Sequence, residues 1–204
     1  WGKTPTQLTN DLGMYEYGGG GYHCVYMDDR DFEIFKQKGL YAVTNPASNL
    51  KLASGIAPIA RYLAEGINLA IGTDGPASNN ALDMFREMYL TSTLAKVREK
   101  NAAVVSAEEV LYAATSGGAH CMNLPDCDSL SVGKLADIIL LDLDQPNMQP
   151  MNNIVKNIVY SGSKSNVKMT MVNGRILYEE GAFDIGFDKQ EIYAKANHII
   201  GRMK

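Results

Sequence analysis

The chain reads as an α/β fold with parallel strands and helices outside them, followed by a small antiparallel sheet. Three observations predict this. Strand, polar loop and helix alternate three times between residues 22 and 89 with short connections, which is the pattern of parallel strands joined by crossover helices. The apolar run Leu69-Ala70-Ile71 stops abruptly at Gly72-Thr73-Asp74-Gly75, as a buried strand does where it meets a loop. Further on, Asn173-Gly174 separates Lys168–Val172 from Arg175–Tyr178, a strong hairpin signal. Three parallel units neither close a barrel nor fill an open sheet, so the chain looks like the last part of something larger.

Taken in order, Trp1 to Glu16 carries a short helical stripe (Leu8, Leu12) ending in a loop. Gly18 to Gly21 reads as a turn or close-approach segment. The Lys and Ser/Thr of a phosphate loop do not follow these glycines. Tyr22 to Tyr26 reads as a short buried strand carrying His23. Asp28 and Asp29 start a helix that Gly39 stops. Leu40 to Val43 is the next strand, and Pro46 forces Asn45 out of the helical region. A polar loop from Ala47 to Lys51 leads to a helix from about Ile56 to Glu65, closed by Gly66. Asn68 begins the third strand. Asn79 or Asn80 is expected to cap the next helix, whose stripe is Leu82, Phe85, Met88 and Tyr89. Ser106 and Glu109 form a capping box for a helix from Val110 to about Ala119. Ile138 to Leu143 is a strand of branched residues, 154–160 a short apolar segment, and 188–203 an amphipathic helix.

Composition narrows the class. The 204 residues are 46% hydrophobic and 21% charged, with a net charge of -4, values that fit a globular domain with a real core. There is no basic stripe, which argues against nucleic acid or an anionic membrane as partner. No apolar run approaches the roughly 18 residues of a membrane span, and the first residues after Trp1 are polar, unlike a signal peptide. Cys24, Cys121 and Cys127 are odd in number and show no C-x-x-C spacing, which fits buried thiols in a reducing cytoplasm.

The candidate chemistry lies at the strand ends. Asp74 ends the third strand among small residues that let a ligand approach the backbone. Catalytic groups of α/β barrels occupy this position, although an aspartate there can also simply cap a helix. His23 falls at the end of the first strand, two strands away. Alone it reads as well as a hydrogen-bonded core histidine. As a pair at matching strand ends, imidazole and carboxylate could face one reacting centre, shuttling protons and binding a metal. His120 lies at a helix end among small residues, and His198 is expected to be exposed. The chain holds no H-x-H, H-E-x-x-H or Cys/His cluster, so it cannot assemble a complete zinc site by itself.

The run from Asn45 to Pro58 (N-P-A-S-N-L-K-L-A-S-G-I-A-P), with Gly72-Thr73-Asp74-Gly75 and Ser78-Asn79-Asn80, resembles the amidohydrolase superfamily. The nearest branch is that of chlorohydrolases and 5-methylthioadenosine/S-adenosylhomocysteine deaminases. Gly133-Lys134-Leu135-Ala136-Asp137 resembles the segment by which such chains leave the barrel. The hairpin at Asn173-Gly174 resembles a strand of their β-domain. The resemblance implies a (β/α)8 barrel, of which residues 1–128 would be strands six to eight. Residues 129–204 would be the C-terminal part of the small antiparallel β-domain with its terminal helix. It also implies one divalent metal, commonly zinc, with Asp74 as a metal ligand and general base and His23 assisting proton transfer. The other ligands and a catalytic glutamate would lie upstream, in a first half of the enzyme. Where the family often has a histidine before Asn-Pro, this chain has Thr44. Ser48, Asn49 and Ser78 could line the pocket or serve only as loop and cap hydrogen bonds.

These readings lead to a metal-dependent hydrolase that deaminates an amino-purine or related N-heterocycle through metal-activated hydroxide. The isolated chain is expected to be inactive for want of its N-terminal half. A chlorohydrolase acting on a triazine-like ring is the near alternative, and a non-catalytic association module the distant one. Homo-oligomerisation rests on family analogy.

Overall fold

The computed structural model describes residues 2–203; Trp1, the start of the N-terminal tail, lies outside them. Two sheets organise the chain. The first is parallel, in the order β1 (Gly20–Tyr22), β2 (Tyr41–Thr44), β3 (Asn68–Ile71). The second is antiparallel, in the order β4 (Ile138–Leu141), β5 (Val167–Val172), β6 (Arg175–Glu179), β7 (Ala182–Phe183).

Before the first sheet lies α1 (Pro5–Asp11), capped by Thr4. Between β1 and β2 runs α2 (Asp29–Lys38). Asp28 and Asp31 cap it reciprocally, and Gly39 ends it in the left-handed conformation at φ 62°, which a residue without Cβ adopts cheaply. Phe32 and Phe35 on α2 are almost fully buried with Leu40, Tyr62, Leu69 and Val110. The Phe32 ring stacks on Tyr62 with centroids 5.3 Å apart. This cluster is the core on which the parallel sheet rests, and burying each such side chain contributes roughly 1.5–3 kcal/mol.

Several segments depart from the sequence reading. Residues Ala47–Lys51, expected as a loop, belong to a short helix, α3 (Pro46–Lys51). Pro46 suits the first helical position, where its missing N–H would have had no partner. The following helix, α4, spans Ile59–Glu65 and starts three residues later than expected. Gly20 and Gly21, read as a turn, are strand residues instead. A Cβ on Gly20 would lie 2.1 Å from the Tyr41 carbonyl oxygen, so the β1–β2 pairing requires glycine there. The strand expected over Tyr22–Tyr26 ends at Tyr22, because His23 and Cys24 both take positive φ (65° and 46°).

The long helix α5 (Met84–Glu99) is capped by Asp83, whose carboxylate accepts from the Phe85 and Arg86 amides. Asn79 and Asn80 do not cap it. Its buried face is Glu87, Met88, Thr91, Ser92 and Ala95, while Leu82 and Tyr89 of the expected stripe are exposed. Polar side chains bury here because most of them find hydrogen bonds, as Ser92 does with Val105 and Tyr160. Beyond it come α6 (Ala107–Ala114), started by the Ser106–Glu109 capping box, and α7 (Ser116–Cys121). The apolar segment at 154–160 is a helix, α8 (Ile154–Tyr160), packed on α5 and α6. The last helix, α9 (Lys189–Gly201), has no buried residue. Asn173 and Gly174 turn the β5–β6 hairpin with φ 47° and 77°, matching the twist of the strands they join. No described helix is long and apolar enough to cross a membrane.

Candidate active site

The parallel register brings three strand ends level. Tyr22 pairs with Val43 and Thr44 with Ile71. The His23 amide donates to the Val43 carbonyl at 2.8 Å and the Gly72 amide to the Thr44 carbonyl at 2.9 Å. His23, Asn45 and Gly72 therefore leave the sheet side by side. With neighbouring strands about 4.8 Å apart, β1 and β3 stand roughly 10 Å from one another, a gap that an imidazole and a carboxylate can close. His23 Nε2 lies 3.9 Å from Asp74 Oδ2.

Backbone geometry aims both groups. The Cys24 amide donates back to the Tyr22 carbonyl at 2.7 Å, making a three-residue turn centred on His23, a conformation of the strained kind. Asp74 also sits at positive φ, 59°, which aspartate tolerates better than most residues. Beside it, a Cβ on Gly72 would lie 2.5 Å from Asn45 Oδ1, so this glycine serves packing against β2. Gly75 faces open space.

The ring nitrogens of His23 have distinct surroundings. Nδ1 lies 2.8 Å from Asn49 Oδ1 and 3.5 Å from Asn45 Nδ2. The shorter contact is to an acceptor, and Asn45 Nδ2 also points at the Val43 carbonyl, so Nδ1 carries the proton and donates to Asn49. Nε2 is then the ring nitrogen left facing Asp74. On the other side, Ser48 Oγ donates to Asp74 Oδ2 at 2.6 Å and Ser78 Oγ to the same oxygen at 2.7 Å. These two hydroxyls, and after them the Gly75 amide, hold the Asp74 carboxyl at a pKa of about 2 against the opposing effect of desolvation. Asp74 is thus a carboxylate across the physiological range.

All five residues singled out from the sequence meet here. His23, Ser48 and Asp74 line a hollow of about 520 Å³ together with Tyr15, Tyr22 and Tyr26, within the size range of small-molecule sites. Asn49 and Ser78 act from behind, through His23 and Asp74. His120 and His198 stand apart. His120 Nε2 pairs with Asp128 at 2.9 Å, and His198 is exposed on α9. Sequence reasoning missed Glu87, which is fully buried behind the site and touches both loops that form it. A signal existed, since a charged residue falls among Met84, Met88 and Thr91 at helical spacing on α5.

A metal would find only part of a site here. Among the described residues no three His, Cys, Asp or Glu side chains gather to hold an ion. Asp74 fits as one oxygen donor, because its hydroxyl partners keep it deprotonated as a ligand must be.

The chain is similar to known proteins. The amidohydrolase family model matches residues 7–177. A 5-methylthioadenosine/S-adenosylhomocysteine deaminase of Caldanaerobacter subterraneus subsp. tengcongensis is 43% identical over 181 residues, covering 88% of this chain and 42% of the relative. The enzyme of that name from Syntrophobacter fumaroxidans is 39% identical over 205 residues, covering 100% of this chain and 47% of the relative. The chain therefore spans somewhat under half the length of these curated relatives. An adenosine deaminase from Xanthomonas campestris with bound zinc superposes with a TM-score of 0.93 at 31% identity, over 99% of this chain and 46% of that one. An atrazine chlorohydrolase from Arthrobacter aurescens complexed with zinc gives 0.89 at 27%, over 98% and 44%. On the family match, the sequence identities and the structural superpositions, this chain belongs to the amidohydrolase family.

Proposed function

We propose that the chain is the C-terminal part of a metal-dependent hydrolase that deaminates an amino-purine of the methylthioadenosine or S-adenosylhomocysteine type. The observation that carries this is the opposition of His23 Nε2 and Asp74 Oδ2 at 3.9 Å across the strand ends, together with relatives of that name at about 40% identity. Residues 1–128 supply the last three strands of a (β/α)8 barrel, and residues 129–204 part of a β-domain. A preceding half of the same enzyme supplies the remaining strands, the other metal ligands and a proton-donating glutamate. The three unpaired thiols suit a cytoplasmic enzyme.

The overall reaction exchanges a ring amine for oxygen: water adds at the carbon bearing the amine, and ammonia leaves. A divalent metal, zinc on the precedent of the structural relatives, acidifies the attacking water when bound. Asp74 would hold that metal as one ligand, and its carboxylate, fixed by Ser48 and Ser78, takes the water proton. His23 holds Nε2 toward the same point, accepting a hydrogen bond from the water and carrying a proton between water and departing amine. The Asn49 acceptor engages Nδ1, which leaves Nε2 as the nitrogen directed at the water. The tyrosines around the hollow offer flat faces to a planar ring.

Ammonia release from 5′-methylthioadenosine, S-adenosylhomocysteine and adenosine tests the reading, using the zinc-loaded chain alone and joined to its upstream half. Activity is expected only in the joined form. His23→Asn should lower kcat there by roughly 10²–10⁴-fold, the usual share of a positioned acid–base group. Activity of the 204-residue chain alone would overturn the division of the site. Chloride release from a triazine with no ammonia from any nucleoside would favour the second reading, a chlorohydrolase, which the atrazine chlorohydrolase superposition supports.

A further inference from the structure

Glu87 lies on the first turn of α5 with no exposed surface and no ion-pair partner among the described residues. A buried carboxylate is costly unless its lone pairs are satisfied, so its two partners are informative. Oε2 accepts the Ala47 amide hydrogen at 3.0 Å, and Oε1 accepts from Asn79 Nδ2 at 2.6 Å. Ala47 is the second residue of α3, whose N-cap Asn45 makes no side-chain cap bond. Glu87 therefore supplies the missing acceptor for that helix start. The next two residues of α3 are Ser48, which holds Asp74, and Asn49, which holds His23. Asn79 Nδ2 also donates to the Thr73 carbonyl at 2.8 Å, directly before Asp74, and its neighbour Ser78 binds the Asp74 carboxylate. One side chain thus joins α3 and the 73–79 loop, which carry Ser48, Asn49 and Ser78.

We propose that Glu87 is a positioning residue for the His23–Asp74 pair, holding α3 and the 73–79 loop in mutual register. The inference rests on the reading of that pair as the reacting groups. The converging partners are both donors, so a carboxylate satisfies them together. A glutamine can accept from one and must turn its own N–H toward the other. Burial pushes the Glu87 carboxyl up, with the Ala47 amide and Asn79 pulling it back, which fits a group held for its acceptors.

The test uses the full 204-residue chain without metal or substrate, so deaminase activity does not enter it. Ring ¹⁵N NMR reads the His23 tautomer, and amide hydrogen exchange reads Ala47, Asp74 and Ser78. The unsubstituted chain should show His23 as a single Nδ1–H tautomer with a protected Ala47 amide. Glu87→Gln should speed exchange at Ala47 or at Asp74 and Ser78 by roughly tenfold, the scale of one lost hydrogen bond, and mix the His23 tautomers. Ser92→Ala removes a comparable buried hydrogen bond from the same helix and should leave the His23 tautomer unchanged. An unchanged His23 ring in a folded Glu87→Gln chain would reduce Glu87 to a helix cap and overturn the proposal. An equal tautomer shift in Ser92→Ala would do the same by showing general loosening. If Glu87→Gln does not fold, Asn79→Ala decides, with faster exchange expected at Asp74 and Ser78 and protection kept at Ala47. No change at Asp74 and Ser78 would sink the proposal.

Discussion

The two sheets of this chain treat apolar surface in opposite ways. In the parallel sheet, Ala42, Val43, Leu69, Ala70 and Ile71 are buried, and polar residues at its C-terminal edge (Thr44, Asn45, Ser48, Asn49) are buried with them. In the antiparallel sheet, Ile139 and Leu140 are 55% and 56% exposed, and Ile176 and Phe183 also face solvent. Residues Val167, Leu177, Tyr178, Phe183 and Ile185 line an open, apolar groove there. The parallel region has helices packed behind it and so can hold polar groups in over-determined positions. The antiparallel region is a hydrogen-bonded ladder with little behind it. A site that demands fixed geometry belongs to the first, because buried groups satisfied by several partners lose the freedom that exposed ones keep.

Core truncation should separate the regions most widely. Phe32→Ala removes a ring stacked on Tyr62 and should cost about 3–5 kcal/mol. Ile139→Ser in the second sheet should change stability by no more than about 0.5 kcal/mol. Urea unfolding of both variants checks the contrast, and equal losses would break it. Glycine substitutions sharpen it at the next scale. Gly72→Ala drives a methyl against Asn45 Oδ1 and should cost roughly 1–3 kcal/mol as overpacking, and it should also disturb the His23 ring that Asn45 approaches. Gly174→Ala meets no neighbouring atom within 4 Å and should cost roughly 1–2 kcal/mol, from its positive φ alone.

The smallest effect concerns the segment between the sheets. Lys134, then His120 and Ser129, hold the Asp128 carboxyl well below the ordinary value of 3.8. A depressed carboxyl stabilises the fold above its unfolded pKa, and that contribution disappears as pH falls below 3.8 toward the folded value. Thermal midpoints followed downward from pH 5 should therefore fall less steeply in Asp128→Asn than in the unsubstituted chain. Because Asp128 is partly exposed, screening keeps the difference small.

Much of the fold was legible because local signals and the final structure agree. The Asp28 start and Gly39 stop of α2, the Ser106 capping box and the Asn173-Gly174 turn are short-range devices whose partners lie within a few residues. The apolar runs of β2 and β3 read correctly for the same reason. The stripe of α5 did not, because its buried face includes Glu87, Thr91 and Ser92, and only distant groups make such polar residues tolerable inside. Ala47–Lys51 read as a loop because its composition is polar, yet the start of the helix it forms is completed by Glu87, 40 residues from Ala47. For the site, His23 and Asp74 were visible as strand-end residues. The hydroxyls and amides that orient them could equally have been ordinary loop caps.

The amino-acid sequence alone determined most of the element types, the parallel-then-antiparallel order and the identity of the imidazole and the carboxylate, since these follow from periodicity, turn chemistry and residue type. Tertiary structure alone decided that His23 turns out of its strand, that Asn49 sets its tautomer, that Ser48 and Ser78 share one oxygen of Asp74, and that Glu87 stands behind them all. Those facts depend on the level register of three strands and on hydrogen bonds such as His23–Asn49, Ser48–Asp74 and Ala47–Glu87, which join residues 26 to 40 positions apart. Nothing local to any one segment encodes such distances.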